Sequence, residues 1–349
     1  MNKNELKNLV KISQAVGNSP DIVQGGGGNT SVKLDGKLMA VKASGYRLNQ
    51  IAENEGYVVV NYNDIKKYFD NVDLNSGMDY EKDSTEFLKK SVVKIEGLKE
   101  LRPSVEAGFH SILKKYVIHT HAVYANILCC AAGGEEIAGK ALSGSGITYI
   151  WIPYINPGFS LTLKIKEEIR KCIEKQGKLP EVILMANHGL IVNSDDCDEC
   201  IRLHEKVNSM IKEYLKIDGG YPEIVLEEAG ENAFVSRTKF ISDFIKENKV
   251  DTDYFDRFPL YPDQLVYLNG NLPAESGEGK VLINTETGDV VYRTSRQEAM
   301  TIEETLLAYL YVIDNIQKKG WTIKTMTAEE VGFITNWESE KYRKSLAGK

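Results

Sequence analysis

The pattern that most constrains the fold is a regular alternation of helical and strand-like segments between residues 105 and 216. A helical segment (VEAGFHSILKK) leads into an apolar strand (YVIHTHAV) and then into a helix of small residues (YANILCCAAGG). A second unit follows, with helix LTLKIKEEIRKCIEKQG, strand EVILMANHGLIV and helix DDCDECIRLHEKVNSMIKEYLK. This alternation predicts a three-layer α/β domain that ends near residue 225, and by itself it favours a parallel sheet.

The segment after residue 225 has a different composition. Residues 226–250 predict a charged helical stretch, residues 255–275 are rich in Pro, Asp and Asn, and GKVLINTETGDVVYRT predicts a hairpin. Two further helices follow, IEETLLAYLYVIDNIQKK and a polar one that begins near Thr327. We therefore expect one α/β domain over residues 1–225 and a smaller α+β extension of unknown role over residues 226–349.

Charge and cysteine content exclude several classes of protein. The 43 basic and 50 acidic side chains give a formal charge of −7, so we expect neither a nucleic-acid nor a membrane partner. The N-terminus is polar, and no apolar run is long enough for a membrane span. Five cysteines form no disulfide framework, and Cys197 and Cys200 are interpreted as two positions on a helix. The sequence predicts a cytoplasmic protein.

Two histidines lie two residues apart in the strand YVIHTHAV. The period of a strand puts the imidazoles of His119 and His121 on one face, where they can either chelate a metal or form hydrogen bonds within the core. His188 lies in ANHGLIV at a break between two apolar runs, where Gly189 lets the backbone turn tightly. Three histidines are thus placed to converge, as a catalytic zinc site with one open coordination position requires.

A carboxylate partner for these histidines is Glu106, in the helix before the HxH strand. Its distance from the metal cannot be read from the spacing, and a glutamate in a first helical turn also complements the helix dipole. His110 shares its helix face and is either a packing residue or a partner of Glu106. His204, on a later helix, is interpreted as a surface or core residue.

A glycine run from Gly25 to Gly28 offers a second kind of chemistry. The run leads into a strand and a hairpin, which excludes a dinucleotide fingerprint and a Walker A loop. Backbone N–H groups of such a run, with the Ser44-Gly45 turn and Ser104 at a helix N-terminus, fit a phosphate. Turn formation and simple helix capping are the alternatives for the same residues.

Five of these motifs together resemble one known family. GGGGNTSVK, VKASG, RPSVEAGFH, VIHTHAV and ANHGLIV, in this order and spacing, resemble the class II aldolase/adducin family over about residues 5–220. The resemblance implies an α/β/α fold on a mainly antiparallel sheet, rather than a parallel one, and a homotetramer with active sites between subunits. It implies zinc ligands at His119, His121 and His188, with Glu106 as catalytic acid/base. It places the substrate phosphate at Gly28, Asn29, Thr30, Ser44, Gly45 and Ser104.

The activity that the resemblance implies is that of a zinc-dependent aldolase, an aldehyde-lyase of carbohydrate metabolism. Such an enzyme cleaves or forms a phosphorylated or otherwise anionic ketose. Zinc, or another divalent metal, stabilises the enediolate as a Lewis acid. Glu106 moves the proton at carbon, for which we expect its pKa to be raised toward neutrality.

The sequence departs from the family in its second acid/base group. The small aldolases carry a tyrosine after the HxH helix, whereas Glu135–Gly146 contains none. Tyr261, in the aromatic segment FPLYPD, is the candidate supplied from outside the main domain. The same site can also serve a sugar-phosphate epimerase, dehydratase or decarboxylase. A non-catalytic adducin-like scaffold is the third alternative, and the retained histidines and Glu106 weigh against it.

Overall fold

A computed structural model describes residues 3–273 and 279–347. The helices are α1 (Lys3–Gly17), α2 (Tyr62–Asp70), α3 (Tyr80–Lys90), α4 (Ala107–Ile112), α5 (Val123–Cys129), α6 (Gly134–Ala141), α7 (Phe159–Gln176), α8 (Cys197–Tyr214), α9 (Lys239–Asn248), α10 (Thr252–Arg257), α11 (Arg296–Lys318), α12 (Ala328–Asn336) and α13 (Glu338–Leu346). The strands are β1 (Asn29–Lys33), β2 (Leu38–Lys42), β3 (Tyr57–Asn61), β4 (Tyr116–Thr120), β5 (Tyr149–Ile152), β6 (Val182–Met185), β7 (Gly189–Ser194), β8 (Leu226–Gly230), β9 (Ala233–Ser236), β10 (Val281–Ile283) and β11 (Val290–Arg293).

Seven strands form the main sheet, in the order β3-β2-β1-β4-β7-β6-β5. All neighbouring pairs are antiparallel except β5 and β6. This confirms the mainly antiparallel α/β/α fold. Alternation of helices and strands misleads here because α7 joins the parallel pair β5 and β6, whereas the antiparallel pairs β1–β2 and β6–β7 are hairpins with no helix between their strands.

Both faces of this sheet are covered, which makes the three layers. In β4, Val117 packs in a cluster with α4 and α7, whereas Ile118 packs in a cluster with α1 and α8. The two-residue period of the strand sends these neighbours to opposite faces. Since β1 and β4 pair with Asn29 opposite His119, these two polar side chains share the face on which α4 packs.

The extension after residue 225 has its own four-stranded sheet, in the order β10-β11-β9-β8. The expected hairpin is confirmed by the pairing of β10 with β11. The charged helical stretch expected over 226–250 is wrong in its first half, where β8 and β9 form a hairpin before α9 begins. The charges of this segment lie on exposed strand positions, so a polar composition does not distinguish a strand from a helix there.

The extension and the first 225 residues share one hydrophobic core. A single cluster contains residues of α1, α5 and α8 together with residues of α9 and α11. Most of α11 is buried, and it packs against α5. Among the described helices, none combines the length and the apolar character needed to cross a bilayer.

Candidate metal centre and substrate pocket

Three histidine side chains meet at one end of the main sheet. His119 lies on β4, His121 follows that strand, and His188 occupies the turn between β6 and β7. One ligand atom from each histidine lies within 4.8 Å of the others, and all three residues are buried. The Nε2 atoms of His119 and His121 are 3.2 Å apart. The structure brings together the three imidazoles on which the sequence analysis depends.

A tight hairpin places His188 beside β4. Met185 pairs with Gly189 in an antiparallel register, so EVILMANHGLIV forms two strands and not one. Asn187 in the turn has a left-handed φ of 52°, which asparagine tolerates better than most residues. A Cβ on Gly189 would lie 2.4 Å from the carbonyl oxygen of Thr120. Only glycine lets the turn approach β4 this closely.

Hydrogen bonds at the Nδ1 atoms fix the orientation of two of these rings. The Nδ1 of His119 lies 3.0 Å from the carbonyl oxygen of Leu190, and the Nδ1 of His121 lies 2.5 Å from Oδ2 of Asp263. A carbonyl and an ionised carboxylate only accept, so each Nδ1 donates and each Nε2 is the ring nitrogen that faces the other histidines. Burial lowers the pKa of His119 well below its ordinary value. Burial thus favours the neutral form, which is the form in which an imidazole binds a metal.

The donor set fits a divalent metal. Three neutral imidazoles suit zinc and neighbouring transition metals better than calcium or magnesium, which prefer oxygen ligands. Three protein ligands also leave coordination positions open for a substrate. His119, His121 and His188 remain proposed ligands on these grounds.

Glu106 reaches the same place from the start of α4. Its Oε1 lies 3.2 Å from Nε2 of His188 and 3.6 Å from Nε2 of His119. Its Oε2 accepts a short hydrogen bond from the side-chain amide of Asn29, which lies across from His119 on the neighbouring strand. The helix dipole interpretation is therefore incomplete, because the carboxylate points into the cluster of imidazoles.

The pKa of Glu106 shifts in the direction opposite to the expected one. Burial raises this pKa, but His119 and His188 outweigh burial and bring it well below its ordinary value. An expectation based on burial alone overlooks how close the ring nitrogens come. Glu106 is thus ionised at neutral pH and is a proton acceptor in the resting protein.

A cavity opens beside the histidines. Its lining is polar and charged, as expected for a site that binds an anionic sugar. Of the six residues predicted to hold the anion, Asn29, Ser44, Gly45 and Ser104 line this cavity. The backbone N–H of Ser44 donates to the carbonyl of Arg102, which ties the Ser44-Gly45 turn to the segment before Ser104.

Gly28 and Thr30 do not line the cavity. Thr30 lies on the opposite face of β1 from Asn29, and its hydroxyl is 2.7 Å from that of Ser13 in α1. Gly28 packs against the backbone of β4, where a Cβ would lie 2.7 Å from the carbonyl oxygen of His119. One backbone donor of the glycine run is already occupied, because the N–H of Gly25 donates a hydrogen bond to the carboxylate of Glu304 in α11.

Charged residues that the sequence analysis missed complete the lining. Lys42, at the end of β2, is 2% exposed, and its Nζ donates to the carbonyl of Gly26 at 2.9 Å. Burial and the nearby Arg343 lower the pKa of Lys42 to about 7. Glu340 and Arg343 of α13 line the same cavity. A lysine inside the otherwise apolar run LMAVKASG indicates a buried charge, so Lys42 could have been predicted as a site residue. Glu340 and Arg343 lie in a polar helix, where no such contrast marks them.

The structure places Tyr261 away from the cavity. It is 2% exposed within the hydrophobic cluster that joins the extension to the first 225 residues. Burial raises the pKa of its hydroxyl well above the ordinary value. Tyr261 is not among the residues that line this cavity, and its role as a second acid/base stays a prediction. The aromatic character of FPLYPD serves packing.

The remaining two histidines and the CxxC pair have structural environments. The Nδ1 of His110 lies 2.7 Å from the hydroxyl of Ser31, and the Nε2 of His204 lies 2.8 Å from the hydroxyl of Thr120. Both histidines are buried. Cys197 and Cys200 lie on α8 as free thiols, as the helix interpretation predicts.

Replacement of His204 is expected to alter how stability depends on pH. Burial lowers the pKa of His204 from 6.5 to about 4, so between these values the unfolded chain binds a proton that the folded chain excludes. Acidification from pH 6.5 to 4 therefore removes about 3 kcal/mol of stability through this residue. We expect the difference in unfolding free energy between wild type and His204→Asn to shrink by about that amount. Urea unfolding of both proteins at pH 7 and pH 4 measures it, and a pH-independent difference contradicts the assignment.

Comparison with known proteins gives a family match over much of the chain. Residues 7–215 match the family model described as "Class II Aldolase and Adducin N-terminal domain". A protein of Bacillus subtilis (strain 168) named "Uncharacterized oxidoreductase YuxG" is 28% identical over 217 residues, or 60% of this chain. This chain spans only 29% of the length of that relative, so the name of the whole relative is not transferred.

Solved structures give further likenesses. The N-terminal class II aldolase domain of a conserved protein from Thermoplasma acidophilum is 27% identical, with 60% of this chain and 93% of that chain covered and a TM-score of 0.49. An L-fuculose 1-phosphate aldolase is 23% identical, covers 60% of this chain and 84% of its own, and has a TM-score of 0.39. The L-fuculose 1-phosphate aldolase from Glaciozyma antarctica PI12 is 11% identical, with 91% of each chain covered and a TM-score of 0.40.

Proposed function

The chain belongs to the class II aldolase and adducin family, and on that premise we propose that it is a metal-dependent carbon–carbon lyase for an anionic ketose, with Glu106 as its acid/base. The observation that supports this most is the position of one Glu106 carboxylate oxygen, 3.2 Å from His188 and 3.6 Å from His119. A base held at a metal centre is what proton transfer next to a carbonyl requires. A scaffold has no use for three buried imidazoles around one carboxylate.

The proposed ligands are His119, His121 and His188, with zinc as the metal. When bound, a divalent metal supplies Lewis-acid stabilisation of the negative charge that develops beside a carbonyl. Glu106, ionised and held by the amide of Asn29, accepts the proton at carbon in the condensing direction and returns it in cleavage. Its low pKa makes it a base in the resting protein.

Binding of the anionic end of the substrate is assigned to the residues that line the cavity. The hydroxyls of Ser44 and Ser104 and the backbone of Gly45 line this part of the cavity. Lys42 adds an amino group from the end of β2, and with a pKa of about 7 it is partly protonated at neutral pH. Donors of this kind suit a phosphate or a carboxylate. We propose a sugar phosphate or a related anionic sugar as substrate, and we retain the homotetramer as a prediction for light scattering.

A second reaction class has an observation in its favour. The described residues that line the cavity include no tyrosine, although an aldol step needs an acid/base on the aldehyde side. Dehydration and decarboxylation also develop negative charge beside a carbonyl and form no aldehyde product, and epimerisation leaves the carbon skeleton complete, so each is an alternative at the same metal centre.

A substrate panel is expected to separate these classes. We expect incubation of the zinc-loaded protein with ketose 1-phosphates and sugar acids to release a three-carbon ketone phosphate or a two-carbon fragment together with an aldehyde. NMR and mass spectrometry of the products measure this directly. Retention of all carbons indicates the epimerase or dehydratase, and loss of carbon dioxide indicates the decarboxylase. No conversion of any substrate by fully metal-loaded protein contradicts the enzymatic proposal.

A further inference from the structure

One carboxylate of the extension lies between a proposed metal ligand and the C-terminal helix. Asp263 is 1% exposed, and its Oδ2 lies 2.5 Å from Nδ1 of His121. Its Oδ1 lies 2.7 Å from Nη2 of Arg343 in α13. Both oxygens of one buried side chain are thus engaged by different parts of the chain. Neither Asp263 nor Arg343 falls within residues 7–215, which match the family model.

The contact with His121 has a direct chemical consequence. A ring N–H that donates to a carboxylate is fixed in one tautomer, and its opposite nitrogen becomes a stronger ligand. For His121 the opposite nitrogen is Nε2, which lies 3.2 Å from Nε2 of His119. Asp263 therefore orients His121 toward the shared position of the three histidines.

Local packing holds Asp263 in place. The following residue, Gln264, is fully buried, and its side-chain oxygen accepts from the N–H of Leu260 at 2.7 Å. A π-helical turn then covers Gln264–Leu268, and the guanidinium of Arg343 lies over the ring of Tyr267 at 5.2 Å. The same turn therefore positions the aspartate and its arginine.

The glycine run provides an independent observation. A Cβ on Gly27 would lie 2.4 Å from Oδ2 of Asp263 and 2.9 Å from Nδ1 of His121. The backbone at Gly27 is not in the left-handed region, so a side chain is excluded by space and not by strain. The loop has room for the Asp263–His121 contact only because this position is glycine.

We propose that the extension completes the metal centre, with Asp263 as the positioning residue for His121 and Arg343 as the residue that holds Asp263. This inference rests on the proposed metal site at the three histidines. Its chemical content is a carboxylate–histidine–metal arrangement in which the carboxylate comes from outside the matched family segment. On this basis, residues beyond 225 determine how tightly the metal is bound.

The test is the zinc affinity of the full-length protein. Metal-free protein competes with a chromophoric chelator for zinc, and the dissociation constant is compared between wild type, Asp263→Asn and Arg343→Met. Asp263→Asn is expected to bind zinc about 10- to 100-fold more weakly, because it replaces the charged acceptor of His121. Arg343→Met is expected to weaken binding in the same direction. Asp253→Asn, an exposed aspartate of the same extension, is the matched control and should bind zinc as wild type does.

A glycine variant tests the same contact without altering any charge. Gly27→Ala is expected to weaken zinc binding as well, whereas Gly36→Ala, where a Cβ meets nothing within 4 Å, should not. Because both changes disturb one contact, Gly27→Ala and Asp263→Asn should be less than additive when combined. The absorption spectrum of the cobalt-substituted protein should change in Asp263→Asn and stay the same in Asp253→Asn.

The outcomes separate this inference from the proposed function. If Asp263→Asn binds zinc as tightly as wild type does, Asp263 does not position His121. This holds even if the metal-free variant melts at a lower temperature, because Asp263 then serves stability alone. Should wild type itself bind no zinc, or should His121→Ala bind it equally well, the proposed metal site fails instead. Reduced affinity in Asp263→Asn with a normal fold by circular dichroism supports the proposal.

Discussion

Glu106→Gln is expected to lower turnover of the preferred substrate by about 10²- to 10⁴-fold, the usual contribution of a positioned acid/base. Glutamine keeps the size of the side chain and can still meet the amide of Asn29, but it cannot accept a proton. Because the proposed metal ligands are unchanged, zinc content should stay at the wild-type level. The variant therefore separates the proton transfer from metal binding.

The measurement does not require the aldehyde partner to be known. A ketone phosphate such as dihydroxyacetone phosphate is incubated with the zinc-loaded protein in D₂O, and exchange of its carbon-bound proton is followed by NMR. We expect wild type to catalyse this exchange and Glu106→Gln to lose it. Exchange at the wild-type rate in Glu106→Gln would remove Glu106 from the mechanism.

The chain offers a matched control for this variant. Glu303 is also a buried glutamate, and its Oε1 accepts from the hydroxyl of Ser236 at 2.7 Å. It lies against the small sheet of the extension and does not line the cavity. Glu303→Gln should keep its exchange activity even where it lowers the melting temperature. Equal losses in both variants would indicate general destabilisation.

The parts of the site that could be predicted are those encoded by local geometry. His119 and His121 share one face because a strand has a two-residue period. Gly189 marks the turn that presents His188. In each case the signal lies within a few residues of the side chain that it positions, so a single segment is enough to interpret it.

The parts that could not be predicted depend on contacts between distant segments. Asp263 meets His121 across 142 residues of sequence, and no periodicity connects the two. The pKa direction of Glu106 depends on the imidazoles of His119 in β4 and His188 in the β6–β7 turn, which meet it only in the folded chain, so the expected upward shift has the wrong sign. The aromatic segment around Tyr261 is compatible with both an acid/base role and core packing, and its apolar character explains why Tyr261 is buried in the core.

The boundary predicted near residue 225 likewise cannot show which contacts form between segments that are distant in sequence. Composition changes there, and the extension does carry a second sheet. The packing of α11 against α5 and the contact of Asp263 with His121 nevertheless join the two segments. A change in composition marks where the family segment ends, but it does not show whether the extension packs against the site.

His119→Ala is expected to abolish stoichiometric zinc binding and, with it, all turnover. His119 is fully buried on β4, and its Nδ1 is held by the carbonyl of Leu190, so its Nε2 has a fixed place among the three imidazoles. Two imidazoles then remain where a catalytic zinc site uses three protein ligands. Metal analysis after zinc-supplemented expression measures the loss directly.

The same variant should lose the stabilisation that zinc gives to the folded chain. A metal that binds only the folded state adds about 4 kcal/mol when its free concentration is a thousand times the dissociation constant. Thermal unfolding with and without zinc should therefore show a shift for wild type and none for His119→Ala. His204→Ala is the matched control, because it also deletes a buried imidazole, one that contacts Thr120. His204→Ala should unfold at a lower temperature than wild type, and zinc should still raise its melting temperature. A zinc-dependent shift that survives in His119→Ala would place the metal elsewhere and leave Glu106 without the centre on which its role depends.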